Sequence, residues 1–480
     1  MATIFLLVGV GSDGPTNIPY RPNSLRELKT MIGGEYIERQ YITSAASSTT
    51  LLYPAYKTPL NEVESRKQYL YYPNIDNATK QTLTFGNIGG SGLHQVDFTY
   101  QPYLGKSDLY LAAKRYLEFT GSMPYILRLG GTYATLSSNG WEFESKYPGQ
   151  KYNNLVITSN GSSISVSGME PNYPVNTYAE TSVDALVRYI SNNYDLGMSP
   201  ISCIKAGSAI LPTGTYSFSG GSDGTLTDSD IDFFFSNFSL PIDINHVLLL
   251  TEITSSIVFS IEKTFEDGQQ PRMFFVPSLT YFGTGSAQPY INAYDTAVPY
   301  KHNMLSCFVG EVTIDYNGGI VNRYAAEAAT IAYAKTESVN ITNLPVDAKS
   351  FVPSLTEENL NLLKGAGLVP LNRYIKNDIA VYEGTTTYAE STFLFSSVLA
   401  NICSISYGYC FKFLGQSILN GPQLTIAEQL RIRLSNLNFV TIDYVEVDKE
   451  GENLYVNIEG KIASEILSIS FTVQNTYPSI

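Results

Sequence analysis

Between residues 108 and 276 the chain repeats one local unit. A stretch with helical spacing is followed, after a short connection, by a run of apolar residues. The first helix is predicted from Asp108 to Phe119, with Ser107 as its cap and Gly121 closing it, and it feeds a buried strand at Pro124–Leu129. The same order returns with a helix at Ser182–Asn193 before a strand near Ile201–Ala206, and a helix at Asp228–Phe238 before His246–Thr251. A segment at Ser255–Phe265 then leads to Arg272–Val276. Strands that run the same way need a crossover between them, and a helix is the usual crossover. The rhythm therefore predicts a mainly parallel sheet with flanking helices. Ile4–Val10 supplies a further strand. A short helix starts after Asn23 or Ser24, carries Leu25, Leu28 and Met31, and stops at Gly33-Gly34. Further helices are expected at Arg323–Lys335 and at Glu357–Lys364, the latter capped by Thr356 with acids in its first turn.

Elsewhere the rhythm breaks. Residues 41–100 are rich in turn formers and predict only loops and short strands. Residues 131–178 hold the single tryptophan, Trp141, two alternating runs at Asn154–Thr158 and Ser163–Ser167, and turns at Pro148-Gly149 and Asn160-Gly161. They read as a β-rich insertion. Strands are expected near Leu368–Tyr374 and Ile379–Tyr382, followed by a long apolar segment from Tyr388 to Leu419 that Gly408 is expected to kink or interrupt. The predicted fold class is α/β and α+β multidomain, with mixed sheets and flanking helices. A first part of the α/β domain spans 1–130, the insertion 131–178, a second part of the α/β domain 179–340, and a C-terminal α+β domain 341–480.

From Leu424 onward the sequence predicts a helix followed by three strands. In the third of these, Leu467, Ile469, Phe471 and Val473 fall on one face, with Ser468, Ser470 and Thr472 on the other. Burying such apolar side chains is worth roughly 1.5–3 kcal/mol each. The sheet that covers this strand belongs either to its own subunit or to a neighbour, which makes these four residues candidates for an inter-subunit strand.

Charge narrows the function classes. The 480 residues carry a formal net charge of −14, and only 15% are charged, below the usual share of about a quarter. No basic run offers a phosphate-binding groove, so direct nucleic-acid contact is not expected. Ile4–Val10 is too short to span a bilayer and lacks a basic region before it, and no later segment reaches about 18 apolar residues. Membrane anchoring and standard export are therefore not expected. The 36 tyrosines suit extended protein contact, because tyrosine offers rigid, amphipathic area. Cys203, Cys307, Cys403 and Cys410 have no C-x-x-C spacing and read as free thiols of a protein folded in a reducing cytosol.

Chemistry-bearing patterns are weak. Gly9-Val-Gly-Ser-Asp-Gly14 matches the dinucleotide fingerprint, but Pro15, Pro19 and Pro22 forbid the helix that would receive a pyrophosphate. Asp228-Ser-Asp-Ile-Asp232 opens like a calcium loop, yet Phe233 and Ser239 stand where glycine and glutamate belong. A capped helix start explains it better. His94, His246 and His302 are scattered, and His246 reads as structural. No nucleophile elbow, zincin helix or Walker loop occurs. No catalytic residue, cofactor site or metal ligand is assigned, and the chain is not expected to be an enzyme.

Several separated segments, in one order, resemble contractile bacteriophage tail sheath proteins, a family shared by tailocins and related contractile injection systems. Gly14-Pro-Thr-Asn-Ile-Pro and Asn23-Ser-Leu-Arg-Glu-Leu are similar to that family's first loop and helix. Asp108–Arg128, with Tyr116-Leu-Glu-Phe-Thr-Gly121 and Tyr125-Ile-Leu-Arg128, resembles its helix-turn-strand ending in arginine. Pro148-Gly-Gln-Lys-Tyr-Asn-Asn-Leu-Val-Ile157 resembles its insertion motif, and Ser219-Gly-Gly-Ser-Asp-Gly224 its glycine turn before a helix. Leu360–Val369, Ala427–Leu437 and Asn453–Val473 resemble the opening helix and turn, late helix and closing strands of its C-terminal domain.

The resemblance implies a structural subunit of a virion tail. It would assemble in the host cytoplasm as stacked rings around a tail tube protein, in company with baseplate and tail terminator proteins, and contract to drive the tube through the host envelope. It also implies chain termini that pair with a neighbour's sheet, and a late helix near the tube, which makes Arg431 and Arg433 candidate tube-facing residues. Two departures stand out. An N-terminal donor arm is expected to be short or absent, and Glu383–Leu394 lacks the family's basic residues. A surface carbohydrate-binding or adhesive protein is the alternative class, weakened by the missing export signal.

Overall fold

The computed structural model describes residues 4–473 apart from 34–35, 43–47, 55–80, 87–92, 100–104, 170–174, 181, 239, 242, 267–269, 282–284, 299–300, 317–318, 337–339, 374–377, 388–392, 414–421, 451–452 and 463–464. Strand Phe5–Gly9 lies inside a six-stranded sheet. Across the sheet the order is Leu368–Val369, Leu305–Phe308, Met273–Pro277, His246–Leu249, Phe5–Gly9 and Tyr125–Arg128. Every neighbouring pair is parallel, as the helix–strand rhythm predicts.

Side chains alternate across this sheet, so both faces need cover. Phe5 and Leu7 pack on one side with helices Leu25–Ile32, Leu109–Thr120 and Ala325–Thr336. Leu6 and Val8 pack on the other with Asp228–Asn237, Ser255–Glu266 and Gln288–Ala297. The helix starts follow from side-chain caps. Ser24 Oγ accepts from Glu27 N at 3.2 Å, and the Glu27 carboxylate accepts from Asn23 N at 2.8 Å. The cap of the helix at 109 is Asp108, not Ser107. Its carboxylate accepts from Leu111 N at 2.9 Å, and Gly121 closes the helix in the left-handed region.

The insertion is larger than the sequence suggests. Helix Val183–Asp195 and strand Ile201–Lys205 do not join the parallel sheet. That strand pairs antiparallel with Trp141–Pro148, and Gly214–Ser217 pairs antiparallel with Val156–Ser159. Leu186, Ile190 and Ile201 share one core with Trp141, Phe143, Tyr152 and Tyr178. A boundary at 178 would cut through that core. Locally, a helix before a strand reads the same whether the helix crosses a parallel sheet or lies on an antiparallel layer; only the pairing partner separates them.

Two further expectations change. Where loops and short strands were predicted for 41–100, Tyr36–Ile42, Ser48–Pro54, Gln81–Gly86 and Leu93–Thr99 form a four-stranded antiparallel sheet. Helix Phe393–Cys410 runs through Gly408 without a break. A helical glycine costs about 1 kcal/mol relative to alanine, and burial of Val398, Ile402, Tyr407 and Cys410 offsets it. This helix is long and apolar enough to cross a membrane, but half of it is buried inside the protein.

The last region follows the sequence reading closely. Helix Pro422–Ser435 precedes strands Val440–Glu450, Asn453–Ile462 and Glu465–Val473, which form an antiparallel meander. Ile426, Leu430 and Leu434 of the helix pack on Leu454, Val456 and Ile458.

Candidate functional site

The motif segments that are far apart in sequence meet at one place. Strands Phe5–Gly9 and Tyr125–Arg128 end beside each other, with Gly9 opposite Arg128 in register. Arg128 is fully buried. Its Nη1 donates to Gly14 O at 2.6 Å and its Nη2 to Pro148 O at 2.9 Å. The guanidinium thus ties the core's glycine loop to the insertion. Asp13 completes the tie by an ion pair with Lys151 and by accepting from the Tyr152 hydroxyl at 2.7 Å. From the chain's return path, Asp223 Oδ1 accepts from Gln150 N at 2.9 Å. Asn153 pairs both ways with the backbone of Gly221, at 2.8 Å each. Thr132 and Ser222 exchange backbone hydrogen bonds.

Burial sets the electrostatics of this joint. It pushes the Asp223 carboxyl up to about 6, against the opposing pull of the Gln150 amide, Arg128 and Lys151. Burial also lowers the Arg128 guanidinium, while Asp13 and Asp223 oppose the shift. Two cations and two acids therefore share a nearly dry junction.

The glycines of the fingerprint serve this packing. A Cβ on Gly14, at φ +82°, would lie 1.4 Å from Met31 O. One on Gly11 would lie 2.7 Å from Ile32 O. The loop is closed against protein where a dinucleotide site needs a helix start and open space. The acids of the calcium-like stretch are also committed elsewhere. Asp228 accepts from the Thr254 hydroxyl at 2.8 Å and Asp232 from the Ser260 hydroxyl at 3.1 Å. Asp230 forms a capping box with Thr227. Among the described residues no three His, Cys, Asp or Glu side chains gather as a metal set. All four cysteines are free, and burial pushes Cys203 up to about 11.

Two further buried polar clusters stand out, and sequence reasoning missed the first of them. Glu327 stands between Arg115, at 2.6 Å, and Arg323, at 2.6 Å, with all three buried. Arg323 also donates to Gly105 O and Asp108 O, at 2.7 and 2.9 Å. The signal was available: an acid inside Ala-Ala-Glu-Ala-Ala, four residues after an arginine, needs a partner. His246 is the second. Its Nδ1 is 2.8 Å from Asn245 Oδ1 and its Nε2 3.3 Å from Ser397 Oγ. Phe5, Phe275 and Tyr333 surround it. Burial pushes it down to about 3, in keeping with a structural histidine.

Glu465–Val473 pairs along its length with Asn453–Ile462 of its own chain. Register sets Val473, Phe471, Ile469 and Leu467 opposite Leu454, Val456, Ile458 and Gly460. Residues directly opposite share a face, and these four positions of the partner strand are buried. The outer edge of the strand is unpaired among the described residues. Residues 474–480 lie outside the described part. Arg431 and Arg433 are exposed on helix Pro422–Ser435, beside Ile432 at 48% exposure. The Arg433 guanidinium sits 4.7 Å above the Tyr409 ring.

No family model matches the chain, and no curated protein matches its sequence. Among solved structures, a sheath tail protein from Listeria innocua aligns at a TM-score of 0.56 and 11% identity, covering 99% of this chain and 96% of that one. A sheath tail protein from Desulfitobacterium hafniense aligns over 99% and 97% at 13% identity, with a TM-score of 0.47. The contracted helical sheath of the anti-feeding prophage aligns over 100% and 91% at 8% identity, with a TM-score of 0.41. Those two overlaps are too loose to argue from. With the first, the resemblance read in separated motifs extends to the whole backbone: the chain has the fold of a sheath tail protein.

Proposed function

We propose that this chain is the structural subunit of a contractile tail sheath. The observation that carries the reading is the overlap with a sheath tail protein across nearly the full length of both chains. Subunits would stack as rings around a tail tube, meet a baseplate at one end and a terminator at the other, and reside in a virion tail after assembly in the host cytoplasm. Contraction would release an extended lattice into one with more buried contact, driving the tube onward. Such work is done by interfaces and asks for no catalytic group, so no enzyme activity is assigned.

The connection between subunits is proposed to run through the terminal meander. Strands Val440–Glu450 and Glu465–Val473 form its two sides, and each has an outer edge unpaired among the described residues. An exposed edge accepts another chain's strand by backbone hydrogen bonding. The strand that carries Leu467, Ile469, Phe471 and Val473 is proposed as the inter-subunit strand, with its outer edge doing the linking. Arg431 and Arg433 are proposed to face acidic groups of the tube.

Negative-stain electron microscopy of the purified protein, alone and with its tube protein, tests the proposal. Rings or tubes are expected. Stable monomers under every condition, with the tube protein present, would overturn the sheath reading and return the adhesive alternative.

A further inference from the structure

The joint between core and insertion contains one buried carboxylate, that of Asp223, with a single hydrogen-bond donor among the described residues. Both terminal nitrogens of Arg128 donate to carbonyls, Gly14 O and Pro148 O, and not to Asp223. The Lys151 ammonium is committed to Asp13. Asp223 is 6% exposed and accepts one hydrogen bond among the described residues, from Gln150 N. An ionised carboxylate taken out of water needs several donors or a directly bonded cation. Here the cations lie near enough to attract it but bond elsewhere. The groups facing this carboxylate from the surrounding elements are Arg128 from the core strand, Asp13 from the glycine loop, and Lys151 from the insertion. Tyr133 and Tyr152 face Arg128 from the insertion side.

Asp223 stands where the chain leaves the insertion, beside the backbone bonds between Thr132 and Ser222. Opening the joint would return its carboxylate to water. From this geometry we propose that the joint is a proton-controlled latch: the insertion is held to the core more tightly when Asp223 carries a proton than when it is ionised. A protonated Asp223 keeps the Gln150 hydrogen bond on one oxygen and drops a charge that Arg128 and Lys151 offset only in part. The raised position of this group, about 6 in the closed joint against an ordinary 3.8, sets the window. The extra hold is complete below about pH 4 and fades as pH rises to 6. The change across that window is assigned to Asp223, the carboxyl of the joint that burial raises.

Hydrogen exchange followed by mass spectrometry on the full chain at pH 4.5, 6.0 and 7.5 tests the latch, with rates corrected for the intrinsic pH dependence of exchange. Peptides covering 146–156 and 218–226 are expected to open about tenfold more often at pH 7.5 than at pH 4.5. Peptides of helix Ala325–Thr336 serve as the reference. Asp223→Asn keeps the acceptor for Gln150 N and should make opening of the joint independent of pH, near the wild-type value at pH 4.5. Equal corrected rates at the three pH values in the wild type, or faster opening in acid confined to the joint, would overturn the proposal. So would an Asp223→Asn protein with the wild-type profile. If that variant does not fold, the wild-type profile decides alone.

Discussion

Arg128 and Gly14 are 114 residues apart in the chain and joined by a 2.6 Å hydrogen bond from guanidinium to carbonyl. The same side chain reaches Pro148 O at 2.9 Å. One residue therefore anchors the loop after the first strand and the insertion that enters much later. Replacing it with methionine leaves two carbonyls unpaired in a buried place. Hydrogen bonds from charged groups contribute about 1.5–3 kcal/mol each, so Arg128→Met should lose about 3–6 kcal/mol in denaturant unfolding. Arg128→Lys should recover less than half, because an ammonium cannot fork to both carbonyls. A loss below about 1 kcal/mol for the methionine variant would contradict the anchoring role.

Glu327→Gln should be among the more damaging single changes. It strips the charge that Arg115 and Arg323 share and leaves two buried guanidinium groups facing a neutral amide. Breaking one member of a buried ion cluster costs about 3–5 kcal/mol. Thermal unfolding of the variant should show the loss. Equal stability would mean that the arginines find other partners.

Acid should weaken the fold through its histidines. Burial holds His246 down to about 3 and His302 to about 4, against an ordinary value near 6.5. Both groups are neutral in the folded protein and charge on unfolding, so their stabilisation is present above about pH 6.5 and is lost as pH falls below it. Asp223 works in the opposite sense between about 6 and its ordinary 3.8. From these three groups, two protons against one leave a slope of about 1.4 kcal/mol per pH unit between pH 6 and 4, which Glu144, also raised by burial, reduces. Urea titrations at pH 7, 6 and 5 measure it. Constant or rising stability on acidification would refute the assignment.

Arg431→Glu with Arg433→Glu should leave folding nearly unchanged, since both side chains are exposed. The loss of the Arg433 contact with the Tyr409 ring is worth about 0.5–1 kcal/mol. Tube-dependent assembly should fall sharply. Intact sheath–tube assembly in the double variant, seen by electron microscopy, would remove the tube-facing role.

Deleting Asn475–Ile480 separates the parts of the terminal link. The meander pairs within its own chain up to Val473, so the shortened protein should fold normally. Folded but unassembled subunits would assign the link to those residues. Normal tubes would leave it to the strand edges.

Legibility varied with the range of the cause. Caps, helix stretches and the parallel rhythm depend on residues within one turn or one strand, and Ser24, Thr227 and Thr356 behave as their neighbours dictate. The helix and three strands after Leu424 are readable because the second and third strands alternate apolar and polar residues, although the first shifts register between Ile442 and Tyr444. Pairing was not readable where two arrangements share one local pattern, as for Val183–Asp195 and Ile201–Lys205. Gly408 failed as a breaker because long-range burial outweighed a local preference. The joint was half legible. Its four segments carried the resemblance one by one, but nothing in the spacing of Asp13, Arg128, Lys151 and Asp223 says that they meet.

Helix Phe393–Cys410 touches both cores. Phe393 and Ala400 belong to the packing of the parallel sheet, whereas Val398, Ile402 and Cys410 belong to that of the meander. Polar contacts fasten it to the sheet: Ser397 lies against His246, and Asn401 accepts from Asn245 at 2.7 Å. Asn245 also receives the Ile4 amide at 2.9 Å. Tension applied to strand Glu465–Val473 therefore has a short route through this single rod to the middle strands of the parallel sheet. The meander is thereby tied through one helix to the parallel sheet, so that a pull on its edge is passed to that sheet.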